Sequence, residues 1–150
     1  MDIIVFSLEN KEYAIEINSV YKIIQVQEIT AVPDTLDFVE GVINIRDTVI
    51  PIINLRQKFL LEKKQLIKTN RIIILRVDSH FIGVIVDSVV DVFTVDPENI
   101  TQPDELLKKA EYLTGVAKIE EKMVFIIDIK KLFSSKEQTS IKTVSKKKEE

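Results

Sequence analysis

Cysteine is absent from the 150 residues, which removes disulfides, thiolate metal sites and a cysteine nucleophile. There is one histidine, His80. A metal site built on several imidazoles is therefore excluded, and any Ser-His-Asp relay would hang on that single ring. Only three glycines occur, and none stands in a GxGxxG or GxxxxGK pattern, so no phosphate-cradling loop is encoded. Long apolar runs are missing too. Val49–Ile53 is among the longest, about a quarter of what a bilayer crossing needs. Met1-Asp2-Ile3 lacks the basic start of a secretion signal. Cations are not in excess: the net charge is −3 and the pI about 5.4. A nucleic-acid binder needs a cationic face that displaces counterions, and this balance argues against one.

What is present is a series of short β-branched segments. Strands are expected near Ile3–Leu8, Glu12–Ile17, Val39–Ile45, Thr48–Asn54, Arg71–Val77, Phe81–Val86, Asp91–Val95, Leu113–Glu120 and Met123–Asp128. Polar residues form hairpin turns at Glu9-Asn10-Lys11, Arg46-Asp47, Asp78-Ser79-His80 and Glu120-Glu121-Lys122. Val49–Ile53 does not alternate, so both faces of that strand should be covered. Pro51 lacks an N–H and suggests an edge or a bulge.

The strongest pattern is an internal repeat. Phe38–Phe59 (FVEGVINIRDTVIPIINLRQKF) aligns without a gap on Tyr112–Phe133 (YLTGVAKIEEKMVFIIDIKKLF) at an offset of 74. Phe38 meets Tyr112, Gly41-Val42 meets Gly115-Val116, and Ile52-Ile53 meets Ile126-Ile127. Asn54 and Asp128 are matched N-cap candidates for short helices over Leu55–Leu61 and Ile129–Phe133. A weaker match at an offset of 69 joins Ile17-Asn18-Ser19-Val20 to Val86-Asp87-Ser88-Val89, each read as a strand end followed by a capped helical turn. The repeat halves are about 1–65 and 66–133. The remainder, Ser134–Glu150, is polar and reads as a mobile tail or frayed helix.

Catalytic groupings are not apparent. Asp87 and Asp91 are four apart, and Asp2 and Glu9 could meet across a barrel. Both pairs sit at strand ends and caps, where carboxylates serve structure, and neither has an obvious pocket to separate their pKa values. Arg46 is either part of a plain charged turn or a brace for nearby carbonyls or carboxylates. Matched glycines inside strands, Gly41 and Gly115, suggest a bend that each half needs. A binding role remains, through a strand edge or a groove. A small-barrel nucleic-acid binder and an unrecognised hydrolase are the alternatives from other classes. The first would need a basic, aromatic-studded face, the second a base–nucleophile pair.

FVEGVINIRDTVIPIINLRQKF resembles the signature hairpin of CheW, the bacterial chemotaxis coupling-protein family. IIVFSLENKEYAIEINSVYKII, FIGVIVDSVVDVFTV and YLTGVAKIEEKMVFIIDIKKLF resemble further segments of that family, in order, so that the likeness spans about residues 2–133. It implies a mainly all-β fold: two SH3-like five-stranded β-barrel subdomains around a shared hydrophobic core, with short helices. It implies an adaptor with no catalysis and no cofactor. The adaptor is cytoplasmic, is recruited to membrane receptor arrays, and joins the cytoplasmic tips of chemoreceptors to the histidine kinase CheA through the kinase's regulatory domain. A CheW-like domain of a CheV-type or CheA-type protein is the near alternative. By this resemblance a receptor helix lies in a groove between the barrels. Val20, Lys22, Ile23 and Ile24, from the first capped turn, would line it with Val39, Gly41 and Val86. Lys22 stands where many relatives carry glutamate. Arg46 matches a family arginine, with Asp47 in place of the usual glycine. The kinase would contact turn residues of the second half, Gly115, Val116, Glu120 and Lys122.

Overall fold

The computed structural model describes residues 1–102 and 110–149. The chain opens with β1 (Asp2–Leu8) and β2 (Lys11–Glu16), then a 3-10 turn at Ile17–Ser19 and β3 (Val20–Gln25). Next come β4 (Val39–Ile45), β5 (Thr48–Asn54) and helix α1 (Leu55–Lys58). The second half repeats the order with β6 (Arg71–Val77), β7 (His80–Val86), β8 (Ser88–Thr94) and the two-residue β9 (Ile100–Thr101). After these come β10 (Leu113–Ile119), β11 (Lys122–Ile127), a 3-10 turn at Ile129–Leu132 and helix α2 (Ser135–Glu149).

The hairpins form where polar residues accept left-handed backbone. Glu9 and Asn10 have φ of 52° and 65°, Arg46 and Asp47 have 49° and 66°, and Glu120 and Glu121 have 49° and 69°. Two successive positive φ values match the twist of the flanking strands. Asp47 thus takes the left-handed turn position a glycine would hold. Asn54 caps α1 by accepting from Gln57 N–H at 3.3 Å, and Asp128 caps its turn by accepting from Lys130 N–H at 3.0 Å.

The strands form two sheets, ordered β8-β1-β2-β11-β10-β9 and β3-β6-β7-β5-β4. Each sheet draws on both repeat halves, so the repeat units are not the barrels. The opening hairpin of one half pairs with the closing hairpin of the other through parallel ladders, β2 with β11 and β5 with β7. Both sheets curl closed. After β3 the chain returns to β4, where Thr30 and Val42 exchange N–H···O bonds of 2.9 Å in each direction. After β8 it returns as β9, where Thr101 faces Val116 on β10. Val42 and Val116 are repeat equivalents. The first barrel counts six strands instead of the expected five, because β9 is long enough to register as a strand while Thr30 makes one bridge.

Strands apolar on both faces follow from this architecture. Ile3, Val5, Ala14, Ala117 and Val124 fill the first barrel. Ile43, Ile50, Ile52, Ile72 and Ile74 fill the second. The intervening residues Ile4, Phe6, Ile73, Leu75 and Val84 point the other way, into a third core between the barrels. Side-chain alternation along a strand therefore feeds two different cores. Pro51 is not at an edge, since β5 lies between β7 and β4. The β7 ladder begins at Ile52, one residue later. Asn54 N–H donates to Phe38 O on the β4 side. By alternation Pro51's nitrogen faces the β7 side, just outside that ladder, and no bond is forfeited.

One expectation is corrected, and the last segment takes the helical one of its two readings. Val20–Gln25 is a strand following a one-turn 3-10 segment, not part of a helical turn, and Ser88–Thr94 is its counterpart. β-Branched and aromatic residues outweigh the brief turn signal there. The polar end forms a helix that packs on β4 and β5. Ser134 and Glu137 make a capping box: Glu137 N–H donates to Ser134 Oγ at 3.0 Å, and Ser134 N–H donates to Glu137 Oε1 at 2.9 Å. Ile141 and Val144, three apart, are buried.

Candidate functional site

The seam between the barrels meets solvent along two edge strands, β3 and β8. Strand pairing decides which side chains face it, because directly paired residues share a face. Val20 pairs with Leu75 and Ile23 with Ile73, both members of the inter-barrel core. On β8, Val89 pairs with Phe6 and Val92 with Ile4, also in that core. Val20 and Val89 are half-buried, whereas Ile23 is 37% exposed and Val92 48%. An apolar strip thus continues the shared core to the surface on each barrel. A cleft of about 290 Å³ opens beside it, lined in part by Ser19 and Leu75, next to Val20.

The two strips are repeat equivalents. The offset of 69 that aligns Val20 with Val89 also aligns Ile23 with Val92. Both strands carry a bulge at the same place, after Val20 on β3 and at Val90 on β8. The bulged residues Tyr21 and Val90 are exposed, at 51% and 47%. Val89 and Val92 are absent from the sequence-derived groove, although extending the 69-residue offset by three positions would have found them.

The other expected groove residues lie elsewhere. Lys22 and Ile24 pair with Ile74 and Ile72, which face the interior of the second barrel, so they are on the opposite side of β3 from Val20 and Ile23. Val86 is 1% exposed, inside the shared core, and presents no surface. Val39 packs against that core from β4, at the far edge of the sheet. Gly41 is buried where the second barrel closes, with φ +148°, and a Cβ there would stand 2.1 Å from Thr30 O. Its role is closure. Gly115 is likewise buried, against Ile100 on β9, and Val116 is half-buried. Glu120 and Lys122 are exposed at the β10–β11 turn, Lys122 pairing with Glu12 at 3.3 Å, with Met123 62% exposed beside them. Arg46 is exposed and makes no ion pair or side-chain hydrogen bond among the described residues, so it does not brace its turn.

Ion pairs hold the seam at its ends. Arg56 on α1 bonds Asp87 through Nε at 2.8 Å and through Nη2 at 2.6 Å, and it also pairs with Glu9 in the β1–β2 turn. The Asp87 hydrogen bonds raise the guanidinium pKa further above its ordinary value, against the opposing effect of burial. In the other half Lys130 holds Asp78 at 2.9 Å, and that hydrogen bond lowers the Asp78 pKa. Lys130 is the repeat equivalent of Arg56, and Asp78 of Glu9. Asp87 therefore anchors a structural ion pair, as its strand-end position suggested. Tyr13 has its pKa raised by burial and then by neighbouring Tyr112. It stacks on Phe59 at 5.5 Å within an aromatic cluster. Among the described residues no group of three or more His, Asp or Glu is arranged to hold a metal ion, and no helix is long and apolar enough to cross a membrane.

Comparison with known proteins matches residues 2–137 to the CheW-like domain family. The chain is 35% identical over 147 residues to chemotaxis protein CheW of Klebsiella aerogenes, covering 97% of this chain and 89% of that protein. It is 34% identical over 141 residues to CheW of Treponema pallidum, covering 90% and 83%. The crystal structure of the scaffolding protein CheW from Thermoanaerobacter tengcongensis superimposes with a TM-score of 0.83 at 35% identity, covering 91% of this chain and 94% of that one.

Proposed function

Because the chain belongs to the CheW-like domain family, a family of chemotaxis scaffold proteins, we propose that it couples chemoreceptors to the histidine kinase CheA by holding both at once. The observation that carries this reading is the pair of apolar strips along the seam. Val20 and Ile23 on one barrel, and Val89 and Val92 on the other, are two separate strips, each suited to the apolar face of a receptor-tip helix. Lys22 and Ile24, on the face of β3 turned to the interior of the second barrel, would take no direct part in that contact. The regulatory domain of CheA would pair with the second-half turn at Glu120, Lys122 and Met123. The work of such an adaptor is linkage. Two weak contacts on one rigid body raise the effective concentration of each partner for the other. A signal passes only where receptor states bind it unequally.

The test is calorimetric titration with a receptor hairpin tip and, separately, with a CheA regulatory domain. Ile23→Asp changes an exposed position and leaves the core intact. Losing one apolar contact of about 1–2 kcal/mol should weaken receptor binding by about 5- to 30-fold while kinase binding stays unchanged. Unaltered receptor affinity in Ile23→Asp and Val92→Asp would reject the seam as the receptor site. Binding to neither partner by the parent protein would reject the coupling role.

A further inference from the structure

The connector between the halves, residues 59–70, presents two highly exposed large apolar side chains. Leu60 is 93% exposed and Ile67 61%. Connections of this length without helix or strand are uncommon in compact folds and are usually functional or disordered. This one is ordered by Leu60 N–H to Gln57 O at 3.0 Å, Leu61 N–H to Arg56 O at 2.7 Å and Asn70 N–H to Ile67 O at 3.0 Å. Leu60 follows α1 with φ +60°, a cap position that favours glycine. A leucine there is strained and exposed together, so neither backbone nor burial accounts for it.

Charge on the connector opposes that of the chain. Lys58–Arg71 carries five cations against one carboxylate, in a protein of net charge −3. Lys58 and Lys63 are paired with Glu137 and Glu40. Lys64 and Lys68 are exposed and have no ion pair among the described residues. Ile67 borders two hollows. One, of about 180 Å³, is shared with Ile85 and Lys64, and the other, of about 540 Å³, with Val26, Leu66 and Lys68.

We propose that this connector is a docking surface for an acidic amphipathic segment of a partner protein. An apolar side chain of the partner lodges beside Val26, Leu66 and Ile67, and its carboxylates meet Lys64 and Lys68. Charge complementarity selects an acidic partner over a basic one. Hollows on either side of Ile67 suit inserted side chains better than a flat lipid surface. The site is separate from the seam, because Val26 and Leu66 pack on the interior core of the second barrel, whereas Val20 and Ile23 face the shared core. It does not depend on the coupling role.

The probe is a fluorescent amphipathic helix of leucine and glutamate, about 18 residues or five turns long, titrated into the whole 150-residue chain. Its leucine–lysine counterpart and vesicles of phosphatidylglycerol are run in parallel. The glutamate peptide should bind saturably and more weakly as salt rises. Amide NMR shifts should cluster on Val26 and the connector. Ile67→Glu, and Lys64→Glu with Lys68→Glu, should each lower affinity about tenfold. All three positions are exposed, so these variants should fold. No saturable binding, equal binding of the lysine peptide, or shifts mapping elsewhere would overturn the proposal. Ile67-dependent binding to the vesicles without binding to the peptide would replace the protein partner with lipid.

Discussion

Changing Gly41 and its repeat equivalent Gly115 to alanine should have unequal effects, and the structure sets the difference. A Cβ on Gly41 would lie 2.1 Å from Thr30 O and 2.7 Å from Thr30 C. Both are backbone atoms of the segment that closes the second barrel, so no side-chain rotation relieves the clash. Thr30 must retreat, so that the two 2.9 Å bonds with Val42 are lost, and alanine is in addition held at φ +148° under strain. The bonds are worth about 1 kcal/mol each and the strain about 1–3 kcal/mol, so Gly41→Ala should cost about 3–5 kcal/mol. A Cβ on Gly115 would meet Ile100 Cγ2 at 2.6 Å, while the nearest backbone atom, Thr101 O, is 3.6 Å away. A side chain can yield, and overpacking of this kind costs about 1–3 kcal/mol. Urea unfolding followed by circular dichroism measures both. Ile100→Ala should recover part of the Gly115→Ala loss, and no side-chain change nearby should rescue Gly41→Ala. A Gly41→Ala loss below about 1 kcal/mol, or one no larger than that of Gly115→Ala, would refute the account of barrel closure.

Other consequences concern the seam and the last helix. Arg56→Met leaves Asp87 and Glu9 without the guanidinium that ties them. With the Arg56 side chain only 11% exposed, about 2–3 kcal/mol should be lost in thermal melts, whereas Lys130→Met at the exposed equivalent should be neutral. Equal effects would contradict the asymmetry of the two latches. Ile141→Asp places a carboxylate at a position 4% exposed and should cost about 2–4 kcal/mol, with hydrogen-exchange protection lost first in α2. Retained protection would argue against that anchor. Glu137 is pushed up by burial but pulled down further by the Ser134 N–H and the Lys58 ammonium, so its folded pKa is below the ordinary carboxylate value. Its contribution is full at neutral pH and is lost as pH falls through that lowered pKa. Glu137→Gln should flatten the acid limb of stability by less than about 1 kcal/mol.

Much of the fold was readable in the sequence because its signals are local. The hairpins at Arg46-Asp47 and Glu120-Glu121 and the caps at Asn54 and Asp128 depend on residues within a few positions of one another. β3 was hidden because Asn18-Ser19 is a good turn signal, and only pairing with β6 extends Val20–Gln25. α2 was legible only as one of two options, tail or frayed helix, because its two anchors, Ile141 and Val144, gain meaning only against β4 and β5. Of the expected groove, Val20 and Ile23 face the seam, while Lys22 and Ile24 fall on the other face of the same strand. The bulge at Tyr21 resets the alternation, and a bulge is a relation between two strands.

By itself the sequence determined that the chain is a duplicated set of hairpins with no cysteine for a thiolate-metal centre, and that the copies keep their caps and glycines in register. Only the tertiary structure decided that the copies exchange hairpins, so that each barrel contains both. The physical reason is that a strand apolar on both faces states that two cores exist without saying which partner completes each. That choice is made by the parallel ladders β2–β11 and β5–β7, which join residues far apart in the chain. The seam, and with it the proposed receptor surface, exists only once those ladders form.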